Sequence, residues 1–274
     1  MTLDSIANSL RDAGIDEALT EAYILAEHYL HIPKYRLAAL RGDDLPASAE
    51  DEAALDAAIR RRITREPLTY ILGTAYFMDE EYEVSPDCLI PRPETELLVL
   101  EAAKHCPENG RILDVCTGSG CIAVSLLRRR DDLSGDAVEI SAPAASLARR
   151  NAVRNGVDDR LNVIEADMFS WEIDGEYDVI VSNPPYVTAD EMASLDPELS
   201  FEPRSALTDG GDGLSFYREL CERYAGHVRK DGVMLCEIGC AEGKAVLGIA
   251  RENGLCGEIV RDLAGLDRMI RISF

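Results

Sequence analysis

Hydrophobic and polar positions follow two different periods along the chain. In residues 1 to about 75, apolar side chains recur three or four positions apart, which is typical of short amphipathic helices. The clearest of these positions are Ile6, Leu10, Leu19, Tyr23, Leu25, Ala26 and Leu30. Ser48, with Asp51 three residues later, predicts the N-terminus of a further helix. We therefore predict an N-terminal helical-bundle domain over residues 1–75.

The segment that follows changes to the alternation of a strand pair. Polar and apolar residues alternate through YFMDEEYEVS, from Tyr76 to Ser85, which predicts a short hairpin. We assign residues 76–90 to this hairpin connector.

From about residue 110 the chain alternates compact apolar strands with helical runs. The predicted strands are RILDV, the weakly apolar SGDAVEIS, LNVIEAD, YDVIVS and GVMLCEIG, and helical patterns such as CIAVSLLRRR and CAEGKAVLGIARENG lie between them or follow them. Two late strands, GEIVRDL and RMIRISF, end the chain without a clear helix between them. This order predicts an α/β fold with a doubly wound, mostly parallel sheet in residues 91–274.

Composition narrows the class of protein. Hydrophobic residues make up 46% of the 274 residues, which is enough for a real core and argues against wholesale disorder. No run approaches about 18 apolar residues, and the acidic N-terminus lacks the pattern of a signal peptide. We therefore expect a cytoplasmic protein with no membrane partner. The eight cysteines form no CxxC pair, so we expect no metal site.

The net charge of −23 argues against a protein that grips nucleic acid directly, because such proteins neutralise phosphates with Lys and Arg. The basic runs Arg60–Arg62 and Arg128–Arg130 fall in helical stretches, where we interpret them as solvated faces with partners such as Asp56. A local nucleic-acid-binding surface remains an alternative, but the negative electrostatic field of the whole chain would oppose binding there.

A glycine-rich turn, LDVCTGSGCIA, lies between the strand RILDV and the helix after it. Gly118 and Gly120 allow a tight turn and a close approach of backbone to a ligand, and Gly118–Ala123 matches the GxGxxA pattern of dinucleotide sites. Glu139 ends the next predicted strand and is placed to hold ribose hydroxyls. On these residues alone, a nicotinamide cofactor and S-adenosylmethionine fit equally well.

Polar groups at further strand ends favour the second cofactor. Asp114, inside the strand end, is suited to accept a hydrogen bond from the ammonium group of a methionine-type cofactor. Asp167 follows the third strand and is suited to accept from an adenine amino group, with Met168 and Phe169 packed nearby. Asn183 follows the fourth strand, so several strand tips converge on one predicted site.

The sequence NPPY, Asn183–Tyr186, directly follows the apolar strand YDVIVS and resembles the signature of methyltransferases that modify planar nitrogens. With LIPRPETELLV before it, EPRSALTDGGDGLSFYREL after it and CEIG near the end, nearly the whole chain resembles the PrmC/HemK family of release factor protein-(glutamine-N5) methyltransferases. The resemblance implies a Rossmann-like, class I methyltransferase domain with a seven-stranded sheet, and S-adenosylmethionine as methyl donor with S-adenosylhomocysteine as product.

The resemblance also implies site residues. Those expected to contact the cofactor are Asp114, Cys116, Thr117, Gly118, Ser119, Gly120, Glu139, Asp167, Met168 and Asn183. Those expected to contact the substrate glutamine are Asn183, Pro184, Pro185 and Tyr186, of which Asn183, Pro184 and Tyr186 are the expected catalytic residues. The implied partners are class I peptide chain release factors, modified on the glutamine of their GGQ loop and recognised through residues 1–75.

The chemistry accounts for these residue types. An amide nitrogen is a poor nucleophile, and two acceptors that hold its N–H groups, the Asn183 side-chain oxygen and the Pro184 carbonyl, would orient it without a strong base. The sequence departs from the family where Cys116 replaces the first loop glycine, Glu139 replaces aspartate and Glu242 replaces glutamine.

Three other functions compete with this hypothesis. An N6-adenine nucleic-acid methyltransferase shares NPPY but needs a basic groove, which the net charge of −23 does not favour. An NAD-dependent oxidoreductase would use the glycine loop, but no recognisable proton-donor pair accompanies it. A non-catalytic adaptor for release factors would not need an intact NPPY.

Overall fold

Five helices form the N-terminal part of the structure, and their apolar faces enclose one core. The computed structural model describes residues 1–274. The helices are α1 (Leu3–Asp12), α2 (Ala18–Leu30), α3 (Lys34–Ala39), α4 (Ala49–Ile63) and α5 (Leu68–Leu72). Ile6, Leu10 and Leu25 are buried in this core, as the helical period predicted. The Ser48 side chain accepts a hydrogen bond from the Asp51 N–H, so the predicted cap of α4 is confirmed.

Residues 1–73 form a compact unit together with a short later segment, residues 196–201. Within this unit Arg62 is buried and donates to both carboxylate oxygens of Glu21, at 2.7 and 3.1 Å, and to Glu198 Oε1 at 3.2 Å. The prediction of a solvated face is therefore wrong for Arg62, because a buried guanidinium requires charged partners. Arg60 is exposed and pairs with Asp56, as predicted.

The second unit, residues 74–195 and 202–274, begins with the predicted hairpin and contains the large sheet. In the hairpin β1 (Thr74–Phe77) pairs antiparallel with β2 (Glu80–Glu83). The sheet strands are β3 (Arg111–Val115), β4 (Ser134–Glu139), β5 (Leu161–Glu165), β6 (Tyr177–Ser182), β7 (Val228–Glu237), β8 (Cys256–Arg261) and β9 (Asp267–Ser273). Their order is β5-β4-β3-β6-β7-β9-β8, in which β9 runs antiparallel to both β7 and β8, and the other neighbouring pairs are parallel. The predicted fold class is confirmed.

Helices connect these strands and cover the sheet. They are α6 (Glu96–His105), α7 (Cys121–Arg129), α8 (Ala142–Arg154), α9 (Arg204–Leu207), α10 (Ser215–Glu222) and α11 (Gly243–Glu252). Short 3-10 helices span Pro93–Thr95, Glu191–Ser194, Pro197–Phe201 and Tyr224–His227. No helix has both the length and the apolar character that crossing a membrane requires.

The central strands are buried on both faces, and this determines where a ligand site lies. In β6, Val179 and Val181 belong to the core on one face of the sheet, while Ile180 belongs to the core on the other. The strand order reverses between β3 and β6, since β4 lies beside β3 on the far side from β6. Ligands of open α/β sheets bind beyond the carboxyl ends of the strands at such a reversal.

Candidate active site

A cavity of about 390 Å³ lies beyond the carboxyl ends of β3, β4, β5 and β6. Its volume falls within the range of about 300–1,000 Å³ that is usual for small-molecule sites. Nine of the residues expected from the sequence line it: Cys116, Thr117, Gly118, Ser119, Glu139, Asp167, Met168, Asn183 and Pro185. Four do not: Asp114, Gly120, Pro184 and Tyr186.

The loop between β3 and α7 turns through three left-handed residues, Cys116 (φ +64°), Gly118 (φ +55°) and Gly120 (φ +82°). A Cβ on Gly120 would lie 3.2 Å from the Cβ of Ala148, so this glycine lets α7 approach α8 closely. A Cβ on Gly118 would meet no atom within 4 Å, which leaves the backbone open on its cavity side. Cys116 is the one of these three that is not glycine, and a left-handed conformation costs such a residue about 1–2 kcal/mol. Its Sγ packs 3.6 Å from Met168 Sδ.

Asp114 lies beneath this loop, fully buried. Its Oδ2 accepts hydrogen bonds from the Thr117 hydroxyl at 2.6 Å and from the Ala123 N–H at 3.3 Å, which tie the loop to the start of α7. Its Oδ1 is buried without a hydrogen-bond partner. Burial raises the pKa of Asp114 to about 7, against the two hydrogen bonds, which lower it. The structure thus gives Asp114 a role in shaping the loop.

Glu139 lies at the tip of β4 and lines the cavity. One carboxylate oxygen accepts from the Gly118 N–H at 2.9 Å, and the other accepts from the Ser141 N–H at 2.9 Å. A carboxylate oxygen has lone pairs for more than one donor, so Glu139 keeps acceptor capacity for a ligand's hydroxyl groups.

Asp167 and three apolar side chains, Ile140, Phe169 and Phe216, also line the cavity. Asp167 Oδ1 accepts from the Phe169 N–H at 3.0 Å, and its other oxygen makes no hydrogen bond within the protein. Phe169 is 43% exposed and meets Phe216 edge to face, with ring centroids 5.2 Å apart, while Ile140 is 62% exposed. Apolar walls beside a free carboxylate oxygen suit a flat heterocycle that carries an amino group.

The NPPY segment leaves β6 with its side chains on two sides. Asn183 and Pro185 line the cavity, and the Asn183 amide group donates to the Thr95 hydroxyl at 3.1 Å. Tyr186 packs instead against the core that includes Ile180, where burial raises the pKa of its phenol to about 12. The Tyr186 carbonyl faces Gly213, since a Cβ at Gly213 would lie 2.2 Å from that oxygen.

Two further sequence motifs are joined at the rim of this cavity. Glu202, which is buried, accepts from the Ile90 N–H at 3.1 Å and pairs with the guanidinium of Arg92. The Val187 N–H donates to the Leu207 carbonyl at 2.8 Å. The segments LIPRPETE, NPPYV and EPRSAL therefore form one hydrogen-bonded wall.

Sequence reasoning gave no role to several cavity residues: Arg92, Thr95, Ile140, Asp209 and Phe216. Arg92 and Thr95 lie in the LIPRPETE segment, and Asp209 and Phe216 lie in EPRSALTDGGDGLSFYREL. Membership of these segments was the available signal, but it did not say which side chains reach the cavity. Ile140 is signalled only by its position after Glu139.

This combination of a left-handed glycine loop after β3, an acid at the tip of β4 and Asn-Pro-Pro-Tyr after β6 defines an S-adenosylmethionine-dependent methyltransferase of class I. The family model described as "Methyltransferase small domain" matches residues 93–215, and the model described as "PrmC N-terminal domain" matches residues 2–73. A methyltransferase of Pyrococcus furiosus shares the fold, with a TM-score of 0.53 over 82% of this chain and 98% of that chain at 15% identity.

Curated relatives extend the similarity along the full chain. The release factor glutamine methyltransferase of Cereibacter sphaeroides is 42% identical over 263 residues, which cover 95% of this chain and 93% of that protein. The protein of the same name from Neisseria gonorrhoeae is 39% identical over 252 residues, 91% of each chain. The chain belongs to the release factor glutamine methyltransferase family.

The residues around the cavity fit S-adenosylmethionine. The space above Gly118 admits a ligand against the loop backbone, and Glu139 and Asp167 offer acceptors for hydroxyl and amino hydrogens. Ile140 and Phe169 supply apolar surface in the same cavity. These features match the polar and apolar parts of an adenosine group.

Proposed function

We propose that this protein transfers a methyl group from S-adenosylmethionine to the side-chain amide nitrogen, N5, of the glutamine in the GGQ loop of class I peptide chain release factors. The observation that carries the proposal is the Asn183 side chain at the cavity, with its amide nitrogen bonded to Thr95 and its oxygen free of any partner in the protein. The relatives that are 42% and 39% identical, which are named release factor glutamine methyltransferases, support it.

The substrate amide nitrogen needs orientation, because its lone pair is delocalised into the neighbouring carbonyl. The free Asn183 oxygen accepts one amide N–H in this proposal, and the Pro184 carbonyl, which accepts no hydrogen bond within the protein, receives the other. The two prolines restrict the backbone and so limit where that carbonyl points. Bound S-adenosylmethionine supplies a methyl group on a positively charged sulfur, and its transfer yields S-adenosylhomocysteine, N5-methylglutamine and one proton that leaves to water.

The proposed cofactor contacts divide by chemistry. Glu139 receives the ribose hydroxyls and Asp167 the adenine amino group, while the backbone of Cys116–Gly120 approaches the cofactor at the loop. Met168 packs at the base of this region. Asp114 acts from beneath by holding the loop through Thr117, and its unpartnered Oδ1 is the acceptor available for a contact with the cofactor's ammonium group.

Residues 1–75 recognise the release factor in this proposal, with 76–90 as connector and 91–274 as the catalytic domain. All the proposed contacts with cofactor and substrate come from residues after 110, and Thr95, which holds Asn183, also lies outside residues 1–75, so we assign the helical domain no catalytic role. Because the partner is a protein of the translation machinery, we also propose that the enzyme acts in the cytoplasm and makes no direct contact with nucleic acid.

The direct test incubates the protein with a release factor and labelled S-adenosylmethionine, and locates the methylated residue by mass spectrometry. We expect one methyl group on the GGQ glutamine, and none on a release factor whose GGQ glutamine is changed to alanine. A parallel reaction with adenine-containing DNA and RNA tests the competing adenine methyltransferase. Label in the nucleic acid, or on the glutamine-free factor, would contradict the proposal.

A further inference from the structure

A chain of three side chains runs from the cavity into the core of the methyltransferase unit. The Asn183 amide nitrogen donates to the Thr95 hydroxyl oxygen at 3.1 Å, and the Thr95 hydroxyl donates to Glu237 Oε2 at 2.7 Å. Thr95 and Glu237 are each only 2% exposed. They come from different elements, since Thr95 ends the 3-10 helix Pro93–Thr95 and Glu237 ends β7.

The donors and acceptors among these three side chains determine the direction in which their hydrogen bonds run. A hydroxyl has one proton, and an ionised carboxylate is only an acceptor, so Thr95 must give its proton to Glu237. The Thr95 oxygen is then left to accept the hydrogen bond that it shares with Asn183. The side of the Asn183 amide that faces Thr95 must therefore be the NH₂ group. Because the amide is planar, the Asn183 oxygen is held on the opposite side.

We propose that Glu237, acting through Thr95, fixes the orientation of the Asn183 amide so that its oxygen, and not its NH₂ group, meets the substrate. Thr95 and Glu237 are thus positioning residues for methyl transfer. The inference rests on the proposed role of Asn183 as acceptor for the glutamine N–H.

Protonation of Glu237 on Oε2, the oxygen that meets Thr95, would reverse these hydrogen bonds. The protonated Oε2 donates to Thr95, and Thr95 then donates to Asn183, which satisfies the bond when the Asn183 oxygen turns toward it. The Asn183 amide would then present its NH₂ group to the N–H of the substrate. Both groups are donors, so no hydrogen bond would form between them. Burial raises the pKa of Glu237 to about 7. Methyl transfer should therefore fall as the pH drops through about 7.

Other charged and titratable groups face Glu237 from the surrounding elements. Arg268 on β9 and Arg92 before the 3-10 helix lower its pKa, and Glu94 raises it. Three further groups near it have pKa values raised by burial, so they are neutral around pH 7: Tyr186 after β6, Tyr217 on α10 and Cys121 on α7. None of these three replaces Glu237 as the acceptor for Thr95.

The first test compares Thr95→Val with Thr95→Ser in the full-length enzyme. Valine keeps the shape but removes the hydroxyl, whereas serine keeps it. We expect Thr95→Val to lower kcat about 10- to 100-fold, because a misplaced group beside the reacting atoms costs rates of that size. Thr95→Ser should rescue kcat to near the wild-type value, and calorimetric affinity for S-adenosylmethionine should be unchanged in both. Full kcat in Thr95→Val would overturn the inference.

The second test is the pH profile of Glu237→Gln. Asp114 and Glu242 also have pKa values raised to about 7 by burial, so the wild-type profile alone does not identify the group. Glutamine cannot ionise, and we expect the step in kcat near pH 7 to disappear in Glu237→Gln and to persist in Glu242→Gln. An unchanged step in Glu237→Gln would assign it to another acid and refute the proposal.

A readout without turnover separates this inference from the proposed function. The nitrogen–proton NMR signals of the Asn183 side-chain amide report its hydrogen bond to Thr95, whichever substrate the enzyme uses. They should shift as the pH passes about 7 in the wild type and stay constant in Glu237→Gln. Signals that do not respond to pH in the wild type would overturn the inference, even if GGQ methylation is found. The pH-dependent shift would support it even if that methylation fails.

Discussion

The backbone of the GGDGL segment packs closely against the NPPY loop at Gly213. Replacing Gly213 with alanine should lower both the stability of the protein and its catalytic rate. Gly213 is buried at φ +75°, and an added Cβ would lie 2.2 Å from the Tyr186 carbonyl oxygen and 3.2 Å from Glu242 Oε1. Gly210, three residues earlier, offers a matched control. It has nearly the same conformation, φ +79°, but is exposed, and its Cβ would meet nothing within 4 Å.

The difference between the two variants isolates the contact with Tyr186. Both alanines occupy a left-handed conformation, which costs about 1–2 kcal/mol. At Gly213 the contact with backbone adds an overpacking cost of about 1–3 kcal/mol, because the Tyr186 carbonyl must move. We therefore expect Gly213→Ala to lose about 2–5 kcal/mol of unfolding free energy, and Gly210→Ala about 1–2 kcal/mol.

Catalysis should separate the two variants further. Moving the carbonyl of Tyr186 displaces the loop that begins at Asn183, and shifts of about 1 Å near reacting atoms cost up to about 100-fold in rate. Urea denaturation gives the unfolding free energies, and steady-state methylation of a release factor gives kcat/KM. The reasoning fails if Gly213→Ala is as stable and as active as Gly210→Ala.

The remaining predictions concern single carboxylates and the proposed acceptor. Asn183→Ala should keep the fold and the calorimetric affinity for S-adenosylmethionine but slow methyl transfer by about two to three powers of ten, and near-normal turnover would exclude the proposed acceptor role. Glu139→Ala should weaken cofactor binding by about 1.5–3 kcal/mol, which is the range for a hydrogen bond to a charged group. The control is Glu165→Ala, at the exposed neighbour of Glu139 on β5, which should leave cofactor binding unchanged. Equal calorimetric affinities of the two variants would make Glu139 a purely structural acid. Glu237 has a folded pKa of about 7 against an ordinary value of 4.5, so its contribution to stability is complete below about 4.5 and is lost as the pH rises through about 7. Denaturation of Glu237→Gln at several pH values should show its stability rising relative to the wild type over that window, and a constant difference would contradict this.

The features that sequence predicted well depend on residues close together in the chain. The change from helical period to strand–helix alternation gave the order of elements, because each period reflects which face of one segment is buried. The cap at Ser48 follows from a bond between residues three apart. The glycine loop and NPPY were visible as contiguous motifs, and their positions after β3 and β6 placed them at one edge of the sheet.

Arg62 and Tyr186 show where local pattern was insufficient. Arg62 lies in a basic run that also contains the exposed Arg60, but Arg62 is buried and donates to Glu21 and Glu198, which are 41 and 136 residues away in the chain. Tyr186 is contiguous with Asn183, but its ring packs into the core while Asn183 lines the cavity. The direction of a side chain depends on the elements packed around it.

By itself, then, the sequence determined the α/β fold, the two ligand-facing motifs and the family, since these rest on periodicity and on short contiguous signatures. The tertiary structure alone decided which motif residues reach the cavity and what holds them there. Asp114 supports the loop from below, Glu202 joins LIPRPETE to EPRSAL, and Glu237 reaches Asn183 through Thr95. The last two sets of bonds join residues 88 to 142 positions apart in the chain. Such contacts arise only when the folded sheet brings distant strand ends and loops together, and no local pattern encodes their distances.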